Sequence, residues 1–158
     1  MVYQRQTRRR IEARGAIATL DTVYEPGEIT AVAYEGEREI SRFTLRSHGE
    51  PERIELTPEK ASLAADGRDL LYVRVRVTDG EGITVDGYEG KLTATVEGGI
   101  LMGIFSGDPK NEDNYGEDSC HAFCGEAVLV IKTNTSGDIA IRVRADGLAD
   151  GVTRVTGV

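Results

Sequence analysis

The chain has 158 residues, of which 39% are hydrophobic and 29% charged, and its formal net charge at pH 7 is −8. This length suits one domain or two small ones, and the composition is typical of a globular protein with its own core. The sequence holds no run of about 18 apolar residues, which excludes a transmembrane helix, and its negative charge disfavours nucleic acid and anionic membranes as partners.

The first 16 residues differ in charge from the rest of the chain. They contain one acid, Glu12, and five arginines: Arg5, Arg8, Arg9, Arg10 and Arg14. Such a run could bind an acidic partner, but it is short and has a single aromatic residue, Tyr3. We therefore interpret residues 1–16 as a disordered or non-native start. They also lack the regions of a secretion signal, so we expect no export address.

Period-two alternation of apolar and polar residues predicts β-strands along most of the chain. The clearest strands are Leu70–Val77, Lys91–Glu97 and Asp138–Ala145. Weaker candidates are Ile29–Tyr34, Ile40–Arg46, Arg53–Thr57, Ile83–Val85, Ile100–Phe105, Ala127–Thr133 and Val152–Val155. Gly-rich turn signals separate them, and no window has helical spacing. This pattern predicts an all-β fold built as a sandwich.

The polar stretch Ser47–Pro51 predicts a domain boundary. Residues 49–158 have enough strands for one immunoglobulin-like β-sandwich, whereas residues 1–48 have too few for an independent fold. We interpret residues 1–48 as the C-terminal part of a second, partial immunoglobulin-like sandwich. The predicted core of the complete sandwich comprises Leu71, Val73, Val75, Leu92, Val96, Ile139, Ile141 and Val143.

An acidic loop between two apolar strands, residues 106–118, holds five carboxylates. Carboxylate, amide and carbonyl oxygens are the ligands that Ca²⁺ prefers, so Asp108, Glu112, Asp113 and Asp118 are weak candidates for a cation site. Their spacing is not that of an EF-hand, and such loops are usually solvated. Asp108, within Gly107-Asp108-Pro109, is better explained as a residue that caps backbone N–H groups in a turn.

Cys120, His121 and Cys124 lie close together in sequence and could each bind zinc. In an extended segment the two cysteines share one face while His121 points to the other, which prevents tetrahedral convergence. The same geometry separates the sulfur atoms too far for a disulfide bond. We expect two free thiols, no structural metal and no cofactor, and free thiols slightly favour a reducing compartment.

The residues that serve nucleophilic catalysis are few. The histidines are His48, at the predicted boundary, and His121, beside the acidic loop, and no Gly-x-Ser-x-Gly motif is present. A paired-carboxylate cleft for glycoside hydrolysis is rarely formed by a small sandwich, and no tryptophan is available to stack on sugars. The residues themselves thus predict a non-catalytic module with no catalytic site.

Residues 24–34, YEPGEITAVAY, closely resemble a signature in the C-terminal region of family-2 glycoside hydrolases of the β-galactosidase type. In that region YEPGEL leads into AVAY and then LRTAGEP, which residues 45–51, LRSHGEP, match. The likeness continues through Ile54–Thr57, Ala64–Gly67, Gly107–Pro109, Ala122–Gly125 and Gly147–Leu148. Two positions depart from it: Cys124 stands where the family more often has Asn, and residues 1–16 do not resemble the expected upstream strands.

The resemblance implies a bacterial enzyme whose catalytic glutamates lie on a (β/α)₈ barrel upstream of such sandwiches. A barrel of about 250 residues does not fit in this chain, and none of the matching motifs is catalytic. What is implied is a non-catalytic accessory domain that supports the barrel, oligomer contacts or substrate access, with the catalytic and preceding sandwich domains as partners. A cytoplasmic location is slightly favoured. The alternative is a free-standing carbohydrate- or protein-binding module of the adhesin type.

The strands predicted within residues 1–48 would expose apolar side chains and unpaired edges without the rest of their sandwich. We therefore expect the chain to form a homodimer through residues 20–46. Charged residues could blunt the exposed edge: Glu35, Glu37, Arg38, Glu39 and Arg42.

Overall fold

A computed structural model of the chain describes residues 17, 19 and 23–158. Its contacts divide the chain into two compact units on either side of the Ser47–His48 bond. The predicted domain boundary, after residue 48, lies one residue away. Among the described residues, none forms a helix long and apolar enough to cross a membrane.

The first unit contains a β-hairpin, in which β1 (Glu28–Glu35) pairs antiparallel with β2 (Arg38–Arg46). Gly36 adopts a φ of +64° in the connecting turn, a conformation that glycine reaches without steric cost. Register places Ile29 opposite Leu45, and it places Phe43 on the same face. These apolar side chains are exposed, Phe43 by 65%. The hairpin therefore presents an apolar face to its surroundings.

Residues 48–158 fold into an all-β sandwich with two sheets. Its strands are β3 (Arg53–Pro58), β4 (Ser62–Leu63), β5 (Leu71–Thr78), β6 (Lys91–Glu97), β7 (Ile100–Phe105), β8 (Ser119–His121), β9 (Glu126–Lys132), β10 (Gly137–Arg144) and β11 (Gly151–Gly157). One sheet has the order β3-β5-β9-β7 and the other β4-β11-β10-β6-β8. All strand pairs are antiparallel except that of β4 and β11.

The core lies between the sheets and is formed by every second residue along the strands, whose side chains point inward. Seven of the eight predicted core residues are inaccessible to solvent, whereas Val96 is only partly buried against them. The core also includes Ile104 on β7 and Leu129 and Ile131 on β9. Burying such side chains stabilises the fold by about 1.5–3 kcal/mol each, which is why the alternating pattern determines these strands.

The structure corrects one predicted strand. Ile83–Val85 is not a strand, because Asp79 and Gly82 turn the chain sharply after β5 and only Thr84 forms an isolated bridge, to Thr78. Two short strands, β4 and β8, were not predicted, since two or three residues are too few to display a period. The other predicted strands are confirmed, with ends that shift by three residues or fewer.

Candidate functional site

The acidic loop is organised by its own side chains. Asp108 accepts a hydrogen bond from the Lys110 N–H (2.8 Å), as the capping interpretation predicts. Asn111 does the same for the Asp113 N–H (2.8 Å), and Asn114 donates to Glu117 (2.7 Å). These bonds hold the loop in a series of local turns.

Asp113 leaves the loop to bind β8. Its Oδ2 accepts the His121 backbone N–H (2.7 Å), and the His121 Nδ1 lies 3.2 Å from both carboxylate oxygens. The backbone bond, with the His121 side chain and Lys91 adding to it, lowers the pKa of Asp113. Of the four cation candidates, Asp113 is thus bonded to His121 and Asp108 to its own turn. Among the described residues, no group of three or more His, Cys, Asp or Glu side chains could hold a metal ion.

The two cysteines have different environments. Cys120 is buried on β8, where desolvation raises the pKa of its thiol to about 11. Cys124 is exposed and has a φ of +52°, so the segment is not extended throughout as the sequence argument assumed. Cys124 and Gly125 are the two central residues of a turn closed by paired Phe123 and Glu126 hydrogen bonds of 3.0 Å. Both thiols are free in the structure, and His121 is exposed opposite the buried Cys120.

His48, at the start of the sandwich unit, is held by both of its ring nitrogens. Nδ1 lies 2.7 Å from the Gly49 carbonyl oxygen, and Nε2 lies 2.8 Å from Asp86 Oδ1. Because both nitrogens face acceptors, the charged ring is favoured. The Gly49 carbonyl, with a smaller contribution from Asp86, raises the pKa of His48.

Asp79 fixes the same segment from the other side. Its Oδ2 accepts the Gly49 N–H (2.7 Å), and its Oδ1 accepts the N–H groups of Glu81 (3.0 Å) and Ile83 (2.9 Å). These bonds, that of Gly49 first, lower the pKa of the buried Asp79 carboxyl. The sequence showed only the turn signal Asp79-Gly80, because the partner at residue 49 is distant in the chain.

An open groove of about 330 Å³ lies where β6 and β10 meet the loop before β11. It is lined by Lys91, Thr93, Arg144, Ala145, Asp146 and Asp150. Asp150 Oδ2 is already bonded to Arg142 Nη1 (3.0 Å) and Arg144 Nε (3.1 Å). Sequence reasoning missed this groove, because cross-strand register rather than any motif brings its residues together.

The hydrogen bonds and ion pairs described above thus hold loops and strand ends in place. The pairs Asp113–His121 and Asp86–His48 are hydrogen-bonded pairs on the sandwich surface, with side chains that remain partly or largely accessible.

The chain matches the family model described as glycoside hydrolase family 2 C-terminal domain 5 over residues 54–154. This span contains most of the sandwich, including all of β5 to β10. Among curated proteins, it is 28% identical over 135 residues to the beta-galactosidase BoGH2A of Bacteroides ovatus, a match that covers 84% of this chain and 16% of the relative.

The fold of the chain is similar to that of solved structures. A glycosyl hydrolase family 2 member from Bacteroides cellulosilyticus superposes with a TM-score of 0.82 at 26% identity, covering 85% of this chain and 18% of that one. A beta-glycosidase from Bacteroides vulgatus has a TM-score of 0.78 at 22% identity, covering 84% and 18%. The chain therefore spans less than a fifth of each of these relatives.

Proposed function

The chain belongs to the glycoside hydrolase family 2 C-terminal domain 5 family, and from this membership we propose that it serves a longer glycoside hydrolase as a non-catalytic accessory domain. The match over residues 54–154 is the observation that carries the proposal. The parent enzyme would act on β-galactosides or related sugars, as the name of the curated Bacteroides ovatus relative suggests. Its catalytic residues would lie upstream, because this chain is too short to contain a barrel.

The hairpin supports a longer parent chain. The match to the curated relative covers 84% of the chain, which is longer than residues 48–158 alone, so it includes both β1 and β2. We propose that β1 and β2 are the last strands of a preceding sandwich. The apolar face of Ile29, Phe43 and Leu45 would be covered by the remaining strands of that sandwich.

The sandwich unit would then act as a support for the other domains of the enzyme. Asp79 and His48 both bind the backbone at Gly49, which is the point where the chain enters the sandwich. These bonds order the first residues of the sandwich unit.

The test begins with the complete reading frame that encodes this chain. The proposal requires an upstream (β/α)₈ barrel with paired glutamates. The complete protein should hydrolyse a chromogenic β-galactoside or a related aryl glycoside, and the 158-residue chain should not. A reading frame without a barrel, or turnover by the purified 158-residue chain above a mock preparation, would contradict it. Binding of the isolated chain on a glycan array would instead support the free-standing module.

A further inference from the structure

The outer face of the four-stranded sheet carries an apolar stripe that crosses three strands. On β5 the outward residue Tyr72 lies opposite Val130 of β9, and the outward Val128 of β9 lies opposite Phe105 of β7. Tyr72 remains 43% exposed, and Val128 and Val130 are half-buried. When one face of an antiparallel sheet is in contact with water, its outward positions usually carry polar residues.

The edge of the stripe is built by the end of the acidic loop. Tyr115 packs edge to face on Phe105, with ring centroids 5.8 Å apart, yet it is 64% exposed. The end of the loop is bonded to β7, because the Glu117 carbonyl accepts the Ile104 N–H (3.3 Å). Met102, the extra residue of a bulge in β7, is exposed by 41%. We call Tyr72, Met102, Phe105, Tyr115, Val128 and Val130 the apolar stripe.

The opposite face of the sandwich has different chemistry. On the outer face of the five-stranded sheet, Arg142 and Arg144 pair with Asp150, and Thr93 lies opposite Arg144. Charged and hydroxyl groups of this kind are well solvated. Since contiguous exposed apolar and aromatic residues are typical of interaction surfaces, the two faces are not equivalent.

The partner that would cover the apolar stripe is another part of the same enzyme. This chain corresponds to 16% of the curated relative and 18% of the solved family member, and the family is defined as a C-terminal domain. We propose that the apolar stripe is the surface on which this sandwich docks against an upstream domain of its own polypeptide. The proposal rests on the proposed function, and it adds which face makes the contact.

The partner surface would be apolar at its centre with a polar rim. The stripe is bordered at one end by the ion pairs of Arg74 with Glu126 and of Arg76 with Glu55. An aromatic centre with charged residues at its border is a common arrangement of protein interfaces. The five-stranded face would remain in contact with water.

Hydroxyl-radical footprinting tests this on the complete protein and on the 158-residue chain. Oxidation of Tyr72, Met102 and Tyr115 should be at least about five-fold slower in the complete protein, because an interface centre excludes water. Phe123, 36% exposed in the turn after β8, should be oxidised at the same rate in both. Equal rates at Met102 and Tyr115 would overturn the docking face while leaving the proposed function standing.

Two substitutions sharpen the test. In the complete protein, Tyr115→Asp and Met102→Asp should each restore oxidation of Tyr72 and speed proteolytic release of the sandwich several-fold. Val152→Asp, at an exposed apolar position on the five-stranded sheet, should change neither. In the 158-residue chain, an unchanged far-UV spectrum verifies folding, and Tyr115→Asp, in a loop, remains informative if Met102→Asp does not fold.

Two further outcomes count against the proposal. If the stripe instead mediates pairing of two copies, Tyr115→Asp will abolish self-association of the complete protein and its stripe will be protected only at high concentration. If the reading frame contains no upstream domain, the docking surface and the proposed function are both wrong. An upstream barrel without protection of the stripe contradicts the docking surface alone.

Discussion

At the residue scale, Cys124 stands in a conformation that its side chain disfavours. It precedes Gly125 in a two-residue turn in which both residues have positive φ, +52° and +70°. Asparagine tolerates this conformation because its short polar side chain bonds locally, and Asn-Gly is the preferred pair in such turns. An asparagine, which the resemblance implies as the more common residue at this position, would fit the backbone better than the cysteine does.

We expect Cys124→Asn to raise the free energy of unfolding by about 0.5–1 kcal/mol, through relief of the strain at positive φ. Denaturant unfolding under reducing conditions measures the change without interference from oxidation. Cys124→Val should lower stability, because a β-branched residue is disfavoured at positive φ. A Cys124→Asn variant no more stable than the unsubstituted 158-residue chain would show that the turn is not strained.

Asp79 is the residue whose ionisation should matter most at the entry to the sandwich. Its pKa is lowered by the N–H groups of Gly49, Ile83 and Glu81, so the folded value lies below the ordinary 3.8. The stabilisation is therefore complete above the unfolded pKa and is lost as the pH falls through the folded pKa.

We expect Asp79→Asn to be less stable than the unsubstituted 158-residue chain near neutral pH. The difference in the free energy of unfolding should shrink as the pH falls below about 4. Urea unfolding between about pH 7 and about pH 3 gives the two curves. Asp138→Asn, at an exposed position of β10, is the control and should follow the parent chain. A constant difference over the whole range would mean that the Asp79 charge has no part in the stability.

At the element scale, the bulge in β7 depends on Gly103. Its φ is +152°, and a Cβ added there would overlap the Tyr115 carbonyl oxygen. The missing side chain thus lets the end of the acidic loop run against β7, which places Tyr115 on Phe105. Gly103 thus allows the loop to cover the edge strand β7 and to position the Tyr115 side chain.

Gly103→Ala should lower the free energy of unfolding by about 3 kcal/mol, because the clash is with backbone and the φ is unfavourable for alanine. Gly107→Ala, where nothing lies within 4 Å of the added Cβ, should change it by less than about 0.5 kcal/mol. Thermal and denaturant unfolding of the two variants provide the comparison. Similar losses in both would contradict the role given to Gly103.

At the scale of the whole molecule, the hairpin leaves an apolar face exposed in the 158-residue chain. Ile29, Phe43 and Leu45 share that face, and each is more than half exposed. On the opposite side of the hairpin Thr30 and Thr44 bond to each other (2.9 Å). Burial of the apolar face against a second copy would substitute for the strands of the preceding sandwich that we propose above.

We therefore predict that the 158-residue chain dimerises through residues 20–46. Light scattering at micromolar concentration should give a dimer for this chain, and a monomer for Phe43→Lys and for a shortened chain that begins at Gly49. Val152→Lys, on the five-stranded sheet, should remain dimeric. The prediction is contradicted if the 158-residue chain is monomeric, or if the shortened chain dimerises equally well.

The sequence by itself determined the sandwich and most of its core. In β5, β6 and β10, alternation repeats over seven or eight residues, and one face of each strand must be buried for the chain to fold. Local burial therefore fixes both the strand and the direction of its side chains. The acidic loop and its turn at Asp108 were equally local, because an aspartate caps N–H groups two residues away.

Only the tertiary structure decided the features that depend on distant partners. Asp79 reaches Gly49 across thirty positions, Asp113 binds β8, and the apolar stripe is assembled from three strands and a loop. The strands β4 and β8 exist because neighbours offer them hydrogen bonds, not because of their own patterns. Register and sheet order are set by the packing of the whole core, and no short stretch of sequence contains that information.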